Sequence, residues 1–444
     1  MQKKRSLPSW ASTALVALAT FILVALAKAL GLISMYWYQV LEFAAITAIS
    51  SLGLNLIYGF NGQFSLGHVG FYAIGAYGSA LITKDFLTKW SGARVGALSW
   101  IIAAQVGFVL ILVATKRLRI STLRERLAHT FSDYLKPHEM WVITALMISI
   151  LVAAVIGVSV GIAWGLQNIL LTILGPLLQG LPDGIAQNLV FFLALLNGGT
   201  LAALASYLVG LPLLRLGSDY FGIATLGFAI MAYTALQNSD LVIPTMKGAR
   251  GMVGIPRWST WPWVFGTLVV SVIVMRNLIH SSYGHAIMSV REDETAAETM
   301  GIDVAQLKGL SFTLGGFFAG LAGALYAHLF AFLHPSSFNM IKGFDPLIII
   351  VFGGLGSMTG TIMASVVFAL VIEGLRVVLP QGFEDWRFVI YPIILLLVML
   401  LRQEGLLGAT EWGWLRAPLP PERNAPTPDQ TVPDAAEIEE GGSS

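Results

Sequence analysis

Small polar side chains gather with glycines at one place in an otherwise apolar chain, between positions 54 and 70. The members that can form hydrogen bonds are Asn55, Asn61, Gln63, Ser65 and His68. An amide buried without a partner costs on the order of 1–3 kcal/mol, so these groups must bond to one another, to the backbone or to a solute. Because all but the histidine are neutral, they suit passage of a small neutral or zwitterionic solute better than a cation pore. His68 by itself is more often a structural histidine.

A second glycine-rich stretch, at 351–360, also interrupts an apolar run. Broken helices are tolerated inside a membrane where their backbone faces protein or a water-filled path, and such breaks are a pointer to a transport site. Close packing of helices is an equally open interpretation of these glycines. For Gly316, Gly320 and Gly323, at small-residue spacing, packing is the expectation.

The densest charge run of the chain lies at 291–294, inside a polar passage at 280–309. A charge at the bilayer centre costs roughly 3 kcal/mol, so this passage must lie in water. The pattern predicts a short helix over 292–300, ended by Gly301, and a next helix capped by Asp303. From the residues alone, the passage is either a solvated connector or a docking surface for a cytosolic partner.

Sequence signatures of catalysis do not occur. There is no Gly-x-x-x-x-Gly-Lys-Ser/Thr loop, no Gly-x-Ser-x-Gly nucleophile frame and no cysteine. The apolar runs carry neither His-x-x-x-His nor a string of carboxylates for a proton relay. We therefore expect no catalytic residue, no metal site and no cofactor in this chain, with the energy for transport supplied from elsewhere.

Composition identifies a polytopic membrane protein. Of 444 residues, 56% are hydrophobic and only 11% are charged, with a mean hydropathy of +0.75. A net charge of +1 argues against a nucleic-acid partner and leaves membrane lipid as the surrounding surface.

The elements that must position these residues are apolar runs of spanning length without strand-like alternation, so the fold is predicted to be all-α, with about 10–12 transmembrane helices. The predicted spans are 10–30, 43–58, 66–83, 97–115, 140–163, 189–214, 218–236, 262–279, 310–333, 344–358, 361–379 and 387–401. The first of these is interpreted as a signal-anchor helix that is retained.

Lysine and arginine placement predicts the orientation. Lys3, Lys4 and Arg5 place the amino terminus in the cytoplasm. Counting spans from there brings the basic loop at 116–136, the passage at 280–309 and the carboxyl-terminal tail to the same side. The Pro-rich, acidic tail has too little apolar surface to fold and is predicted to be disordered.

Ordered motifs along the chain resemble branched-chain amino-acid ABC transporter permeases of the leucine/isoleucine/valine type. They are 53–55 (Gly-Leu-Asn), 61–63 (Asn-Gly-Gln), 65–68 (Ser-Leu-Gly-His), 71–77 (Phe-Tyr-Ala-Ile-Gly-Ala-Tyr), 216–228, 284–286 (Gly-His-Ala), 290–297 (Val-Arg-Glu-Asp-Glu-Thr-Ala-Ala), 300–302 (Met-Gly-Ile), 317–325 and 353–357 (Gly-Gly-Leu-Gly-Ser). The resemblance covers about 43–83 and 189–408, most of the membrane core.

The resemblance implies an ABC importer permease, multi-pass in a bacterial inner membrane with both termini cytoplasmic. Its partners would be a sister permease, two cytosolic ATPase subunits that bind the ATP, and a periplasmic amino-acid binding protein. Tyr72 and Thr225, in matching motifs, join the polar cluster as candidates for lining the pathway. The residues implied to contact the ATPases are His285, Arg291, Glu292, Asp293, Glu294, Ala297, Met300 and Gly301.

The predicted organisation is an anchor helix at 1–42, a first core part at 43–83, a main core at 189–408 and a tail at 409–444. Between the core parts, 84–188 departs from the family pattern and reads as an insertion with two extra helices. The implied solute is a branched-chain or other neutral amino acid. Alternatives are an ABC permease for urea or short amides, an ion-gradient-driven transporter or channel and, last, an intramembrane enzyme.

Overall fold

The computed structural model describes residues 9–88, 182–214, 216, 218–380, 405–408 and 411–412, with isolated positions elsewhere. These residues form an all-α membrane protein, as predicted. The helices are α1 Ser9–Ala29, α2 Met35–Asn55, α3 His68–Thr88, α4 Asp183–Leu213, α5 Ser218–Gln237, α6 Trp261–Ile279, α7 Ser282–Glu292, α8 Glu294–Thr299, α9 Val304–Phe330, α10 Met340–Gly353 and α11 Met358–Val378.

Six helices within the described ranges are long and apolar enough to cross a membrane: Met35–Phe60, Gly184–Leu213, Tyr220–Gln237, Trp261–Ile279, Val304–Phe330 and Met358–Val378. The predicted spans at 97–115, 140–163 and 387–401 lie wholly or mostly outside the described residues, so the total of 10–12 stays a prediction. Helix α10 has 14 residues. At about 1.5 Å per residue it is shorter than the ~30 Å of a bilayer core.

Helix α9 lies at the centre, packed against α2, α3 and α4. Its glycines allow this close approach. A Cβ on Gly320 would strike Ala202 and the carbonyl of Gly198, and one on Gly323 would strike the carbonyl of Tyr72. The predicted packing role of these glycines is confirmed.

Hydrogen bonds between distant segments of the chain connect the helices at one end of the bundle. Tyr36, at the start of α2, donates a 2.7 Å hydrogen bond to Glu373 near the end of α11, and Glu373 pairs with Arg376 at 3.5 Å. Two short strands, β1 Met252–Val253 and β2 Phe332–Leu333, pair antiparallel near this end. Glu373 and Arg376 lie three residues apart on α11, about one helical turn, which brings their side chains together.

The opposite end carries α7 and α8, which we call the surface helix pair. The predicted continuous helix over 292–300 is wrong, because the chain breaks at Asp293. That residue is extended and caps α8, with its carboxylate accepting from the backbone N–H of Ala296 at 3.0 Å. Gly301 ends α8 with φ +82°, and Asp303 caps α9 by accepting from Gln306, both as predicted.

Candidate functional site

The candidate site centres on residues 56–67, which we call the broken segment. Leu56–Phe60 continues α2 as a π-helix, a form often found at functional sites. Gly62, at φ +76°, then turns the chain, and its N–H bonds to the carbonyl of Tyr58. In the non-helical backbone that follows, alternate residues (Asn61, Gln63, Ser65 and Gly67) are buried against protein, where such backbone is tolerated at membrane depth.

Helix α3 begins well inside the bundle. The ring Nε2 of His68 lies 2.8 Å from the carbonyl oxygen of Ser50, a residue of α2. Ser50 lies six residues before Leu56, where the π-helix begins. At about 1.5 Å per helical residue, His68 therefore lies roughly 9 Å deeper in the bundle than the start of the π-helix. The broken segment is therefore re-entrant.

Asn55 joins the broken segment to the turn at 353–357, which we call the glycine turn. Its amide nitrogen donates to the carbonyl of Ser357 at 3.0 Å and to the hydroxyl of Thr361 at 2.9 Å. Its amide oxygen accepts from the N–H of Gly356 at 3.0 Å. The two glycine-rich stretches noticed in the sequence thus meet in space through one fully buried side chain.

Arg291 connects the surface helix pair to the same place. Its guanidinium donates a 2.5 Å hydrogen bond to the carbonyl oxygen of Gly59. The aliphatic part of Arg291 packs on Gly62. A side chain at Gly59 would overlap the amide of Asn55 and the N–H of Gly356, so only glycine fits there.

The other residues implied to contact ATPases are spread over the surface helix pair. Ala297 is buried, whereas Met300 is 82% exposed. Glu294 forms a 2.6 Å ion pair with Lys308 at the start of α9. The Nδ1 of His285 lies 2.9 Å from the carbonyl of Ser281 on its own helix. The remaining members, Glu292, Asp293 and Gly301, are exposed.

A cavity of about 210 Å³ separates the surface helix pair from the broken segment. Arg291, Glu294 and Lys308 face it from one side, and Asn61 and Gln63 from the other. Among the described residues, neither polar atom of the Asn61 side chain has a hydrogen-bond partner, and the same holds for the side-chain oxygen of Gln63. These buried amides are the strongest support for a polar path at this point.

The other predicted pathway residues lie deeper. The hydroxyl of Thr225 accepts from the N–H of Leu66 at 3.0 Å and holds the re-entrant backbone against α5. The hydroxyl of Ser65 has no partner among the described residues. Tyr72 lies apart, on a second cavity between α2, α3, α9 and α10. Lining of a pathway by these residues stays a prediction.

Residues near the carboxyl terminus also contact the glycine turn. The N–H of Leu406 donates to the carbonyl of Phe352 at 2.8 Å. The carboxylate of Glu411 accepts from the N–H groups of Met358 and Thr359, at the amino end of α11. A carboxylate at this end is favoured by the helix dipole.

The site brings together groups from distant parts of the chain that hold one another through hydrogen bonds. Arg291 bonds to Gly59, and Asn55, which lies against Gly59, bonds to Gly356, so these contacts lead from an exposed helix through the broken segment to the glycine turn. The carbonyl of Gly59, Lys308 and Glu411 were missed from the sequence. A backbone acceptor leaves no sequence signal, while a lone charge beside an apolar run was a signal available for the other two.

A family model described as "Branched-chain amino acid transport system / permease component" matches residues 36–178 and 169–399. The high-affinity branched-chain amino acid transport system permease protein LivM of Escherichia coli is 30% identical over 258 residues, which cover 50% of this chain and 59% of that protein. The chain thus spans less than two thirds of the length of this relative.

More distant relatives carry similar names. The probable branched-chain amino acid transport permease protein LivM of Methanocaldococcus jannaschii is 21% identical over 47% of this chain and 66% of its own length. The permease protein LivH of the Escherichia coli high-affinity system is 24% identical over 42% of this chain and 58% of its own length. No solved structure matches the chain.

Proposed function

This chain belongs to the family of branched-chain amino acid transport permease components, and we propose that it is the membrane permease subunit of an ABC importer for branched-chain or other neutral amino acids. It performs no chemistry on its substrate. Partner ATPases bind the ATP, and the chain alternates between states open to either side of the membrane. Multi-pass placement in an inner membrane, with both termini cytoplasmic, belongs to the same proposal.

The observation that carries the proposal is the hydrogen bond from Arg291 to the carbonyl of Gly59. A subunit that pushes on the surface helix pair shifts Arg291. Because Gly59 lies in the broken segment and touches both Asn55 and Gly356, such a shift reaches the glycine turn as well. A conformational change driven by a partner requires contacts that differ between the two states, and this chain of bonds provides the route.

The surface helix pair has the composition of a docking surface. Tyr283 is 61% exposed and Met300 is 82% exposed, while charged residues of both signs surround them. Exposed aromatic and methionine side chains ringed by polar residues are common where proteins bind one another. We assign the ATPases to this end and a periplasmic binding protein to the opposite end.

The relatives favour a pair of related permeases. Proteins named LivM and LivH both resemble this chain, and both names describe permeases of a high-affinity branched-chain amino acid system. A sister permease that packs beside this chain and completes the pathway fits that observation.

The experiment reconstitutes the chain with its sister permease, the ATPases and the binding protein in vesicles. We expect uptake of labelled leucine that requires ATP, is inhibited by valine and is unaffected by urea. Inhibition by urea but not by valine would support the short-amide alternative. Full uptake by the chain alone without nucleotide would refute the importer and favour a gradient-driven transporter or channel.

A further inference from the structure

The second cavity, of about 130 Å³, lies between α2, α3, α9 and α10, toward the end opposite the surface helix pair. An apolar cavity of about 150 Å³ accommodates a benzene molecule, so this space holds an aliphatic side chain of four or five carbons, with any charged groups of the ligand at the cavity edge beside Lys342 and Asp345. Its lining residues are Phe43, Thr47, Ser50, Val69, Tyr72, Tyr326, Ser337, Lys342, Asp345, Pro346 and Ile349. None of these was assigned to an amino-acid site by motif except Tyr72, a pathway candidate.

An ion pair lies on one side of the cavity. Lys342 and Asp345, at i and i+3 on α10, are 3.4 Å apart, longer than the roughly 2.7–2.9 Å of a strong charge-assisted hydrogen bond. The Asp345 side chain is only 15% exposed. Lys342, in the first turn of α10, is 39% exposed, so the pair joins one partly solvated ammonium group to one largely buried carboxylate. A largely buried carboxylate beside membrane-spanning helices is costly and marks a candidate functional site.

The rest of the cavity is aliphatic and aromatic. Ile349 and Val69 are buried, and the rings of Tyr72 and Tyr326 lie 5.6 Å apart, with Phe43 beside Tyr326 at 6.4 Å. One positive and one negative charge beside an apolar surface is the complement of a zwitterion that carries an aliphatic side chain. A neutral amide such as urea would leave both charges without a matching ionic group.

We propose that this cavity binds a zwitterionic aliphatic amino acid, with its ammonium group at Asp345, its carboxylate at Lys342 and its side chain against Val69, Ile349 and Phe43. The inference rests on the proposed function and names the residues that would hold the solute. Each charge of the pair keeps an opposite charge when the ligand enters, so binding leaves no buried charge unpaired.

The cavity adjoins the broken segment. Ser50, on its wall, bonds through its carbonyl to His68 at the start of α3. Gly343, on α10 between the two charged residues, is close to Val69 and to the carbonyl of Leu66. A ligand held by α10 would therefore lie against the start of α3, which the broken segment connects to the end of α2.

The chain has no cysteine, so a single Ser337→Cys substitution places the only thiol on the cavity wall. We would measure its rate of reaction with a maleimide in the purified full-length chain. L-leucine should slow the reaction, whereas isocaproate, which lacks the ammonium group, isoamylamine, which lacks the carboxylate, and urea should not. This comparison of ligands leaves the ion pair intact and does not depend on whether its variants fold.

Asp345→Asn and Lys342→Gln, each added to Ser337→Cys, should raise the leucine concentration for half-protection by roughly tenfold or more, as loss of a charge-assisted hydrogen bond does. Arg376→Gln is the matched control, since it disrupts an i,i+3 pair on α11 away from the cavity. Val242→Cys, on a residue that is 84% exposed, should show no protection.

Equal protection by leucine and by its two singly charged analogues, isocaproate and isoamylamine, would overturn the inference. So would unchanged protection in Asp345→Asn, or no protection in the chain with its pair intact. Because labelling needs neither ATP nor partner subunits, its outcome is separate from the uptake experiment. Nucleotide-dependent uptake without protection would refute this site alone, and protection without nucleotide-dependent uptake would refute the importer alone.

Discussion

Arg291 and Gly59 lie far apart in sequence and are joined by a 2.5 Å hydrogen bond from the guanidinium to the backbone carbonyl. The bond connects a helix at the surface of the bundle to the point where α2 loses its regular form. The carbonyl of Gly59 is open to a side chain because the helix ends at Phe60 and its last carbonyls have no donor within the helix. The broken helix and the charged surface helix are therefore parts of one arrangement.

Replacing Arg291 by alanine tests this connection. A hydrogen bond from a charged group contributes about 1.5–3 kcal/mol, so ATP-driven leucine uptake by the assembled transporter should fall at least roughly tenfold. Val270→Ala, at an exposed residue in the middle of α6 and away from both ends, is the control and should retain uptake. Normal uptake by a correctly inserted Arg291→Ala variant would show that the bond is not needed for coupling.

The ion pair between Glu294 and Lys308 allows a charge-reversal experiment. Glu294→Lys places two positive charges together and should lower uptake, while Glu294→Lys combined with Lys308→Glu should restore it. Because the Glu294 side chain is 53% exposed, the change in unfolding free energy should stay below about 1 kcal/mol. Glu298→Lys on the same helix, where the described residues show no ion pair, is the control, because any loss of uptake that it causes should not be restored by Lys308→Glu. Failure of the double variant to recover uptake would contradict the pairing.

Asn55 is the buried tie between α2 and the glycine turn. Asn55→Leu keeps the approximate volume but leaves the N–H of Gly356 without its acceptor, and an orphaned buried group costs about 1–3 kcal/mol. We expect a lower unfolding midpoint in detergent, measured by thermal denaturation. Asn238→Ala, just after the end of α5, removes a single exposed hydrogen bond from a side-chain amide and should change the midpoint little. Equal midpoints for both variants would mean that the Asn55 bonds contribute nothing net.

The close packing of glycines at the bundle centre predicts that adding one methyl group at Gly75 lowers the stability of the protein. Gly75→Ala would press its Cβ into the backbone of Gly320, which has no flexible atom to yield, so we expect destabilisation by about 1–3 kcal/mol or more. Gly227→Ala, on α5, meets no atom within 4 Å and should be neutral or stabilising. Denaturant unfolding in detergent compares the two. Similar midpoints would show that α3 and α9 can separate without cost.

Much of the helical framework was predictable. The expected spans at 218–236 and 262–279 correspond to Ser218–Gln237 and Trp261–Ile279 in the structure. A bilayer core requires roughly 20 apolar residues per helix, so hydropathy alone reports such bounds. The surface passage was less predictable, because Asp293 can either continue a helix or cap the next one. In the structure, the side chain of Asp293 caps α8.

The candidate site was likewise predictable only in part. Asn55, Asn61 and Gln63 stood out because polar amides are costly in an apolar run. That Asn55 is engaged with the glycine turn, while Asn61 and Gln63 face a cavity, followed from no local pattern. Lys342 and Asp345 were overlooked because they lie at the start of the predicted span at 344–358, where charged residues are expected at a membrane surface.

The sequence by itself determined that this is a helical membrane protein of a transport permease family. A helix that crosses lipid must be long and apolar, so hydropathy reveals it. The motifs that resemble the family occur in the expected order along the membrane core. Only the tertiary structure decided that Arg291 reaches Gly59 and that two glycine-rich stretches about three hundred positions apart share one buried amide. The physical reason is that hydropathy is a property of each segment alone, whereas a hydrogen bond across helices depends on how those segments pack.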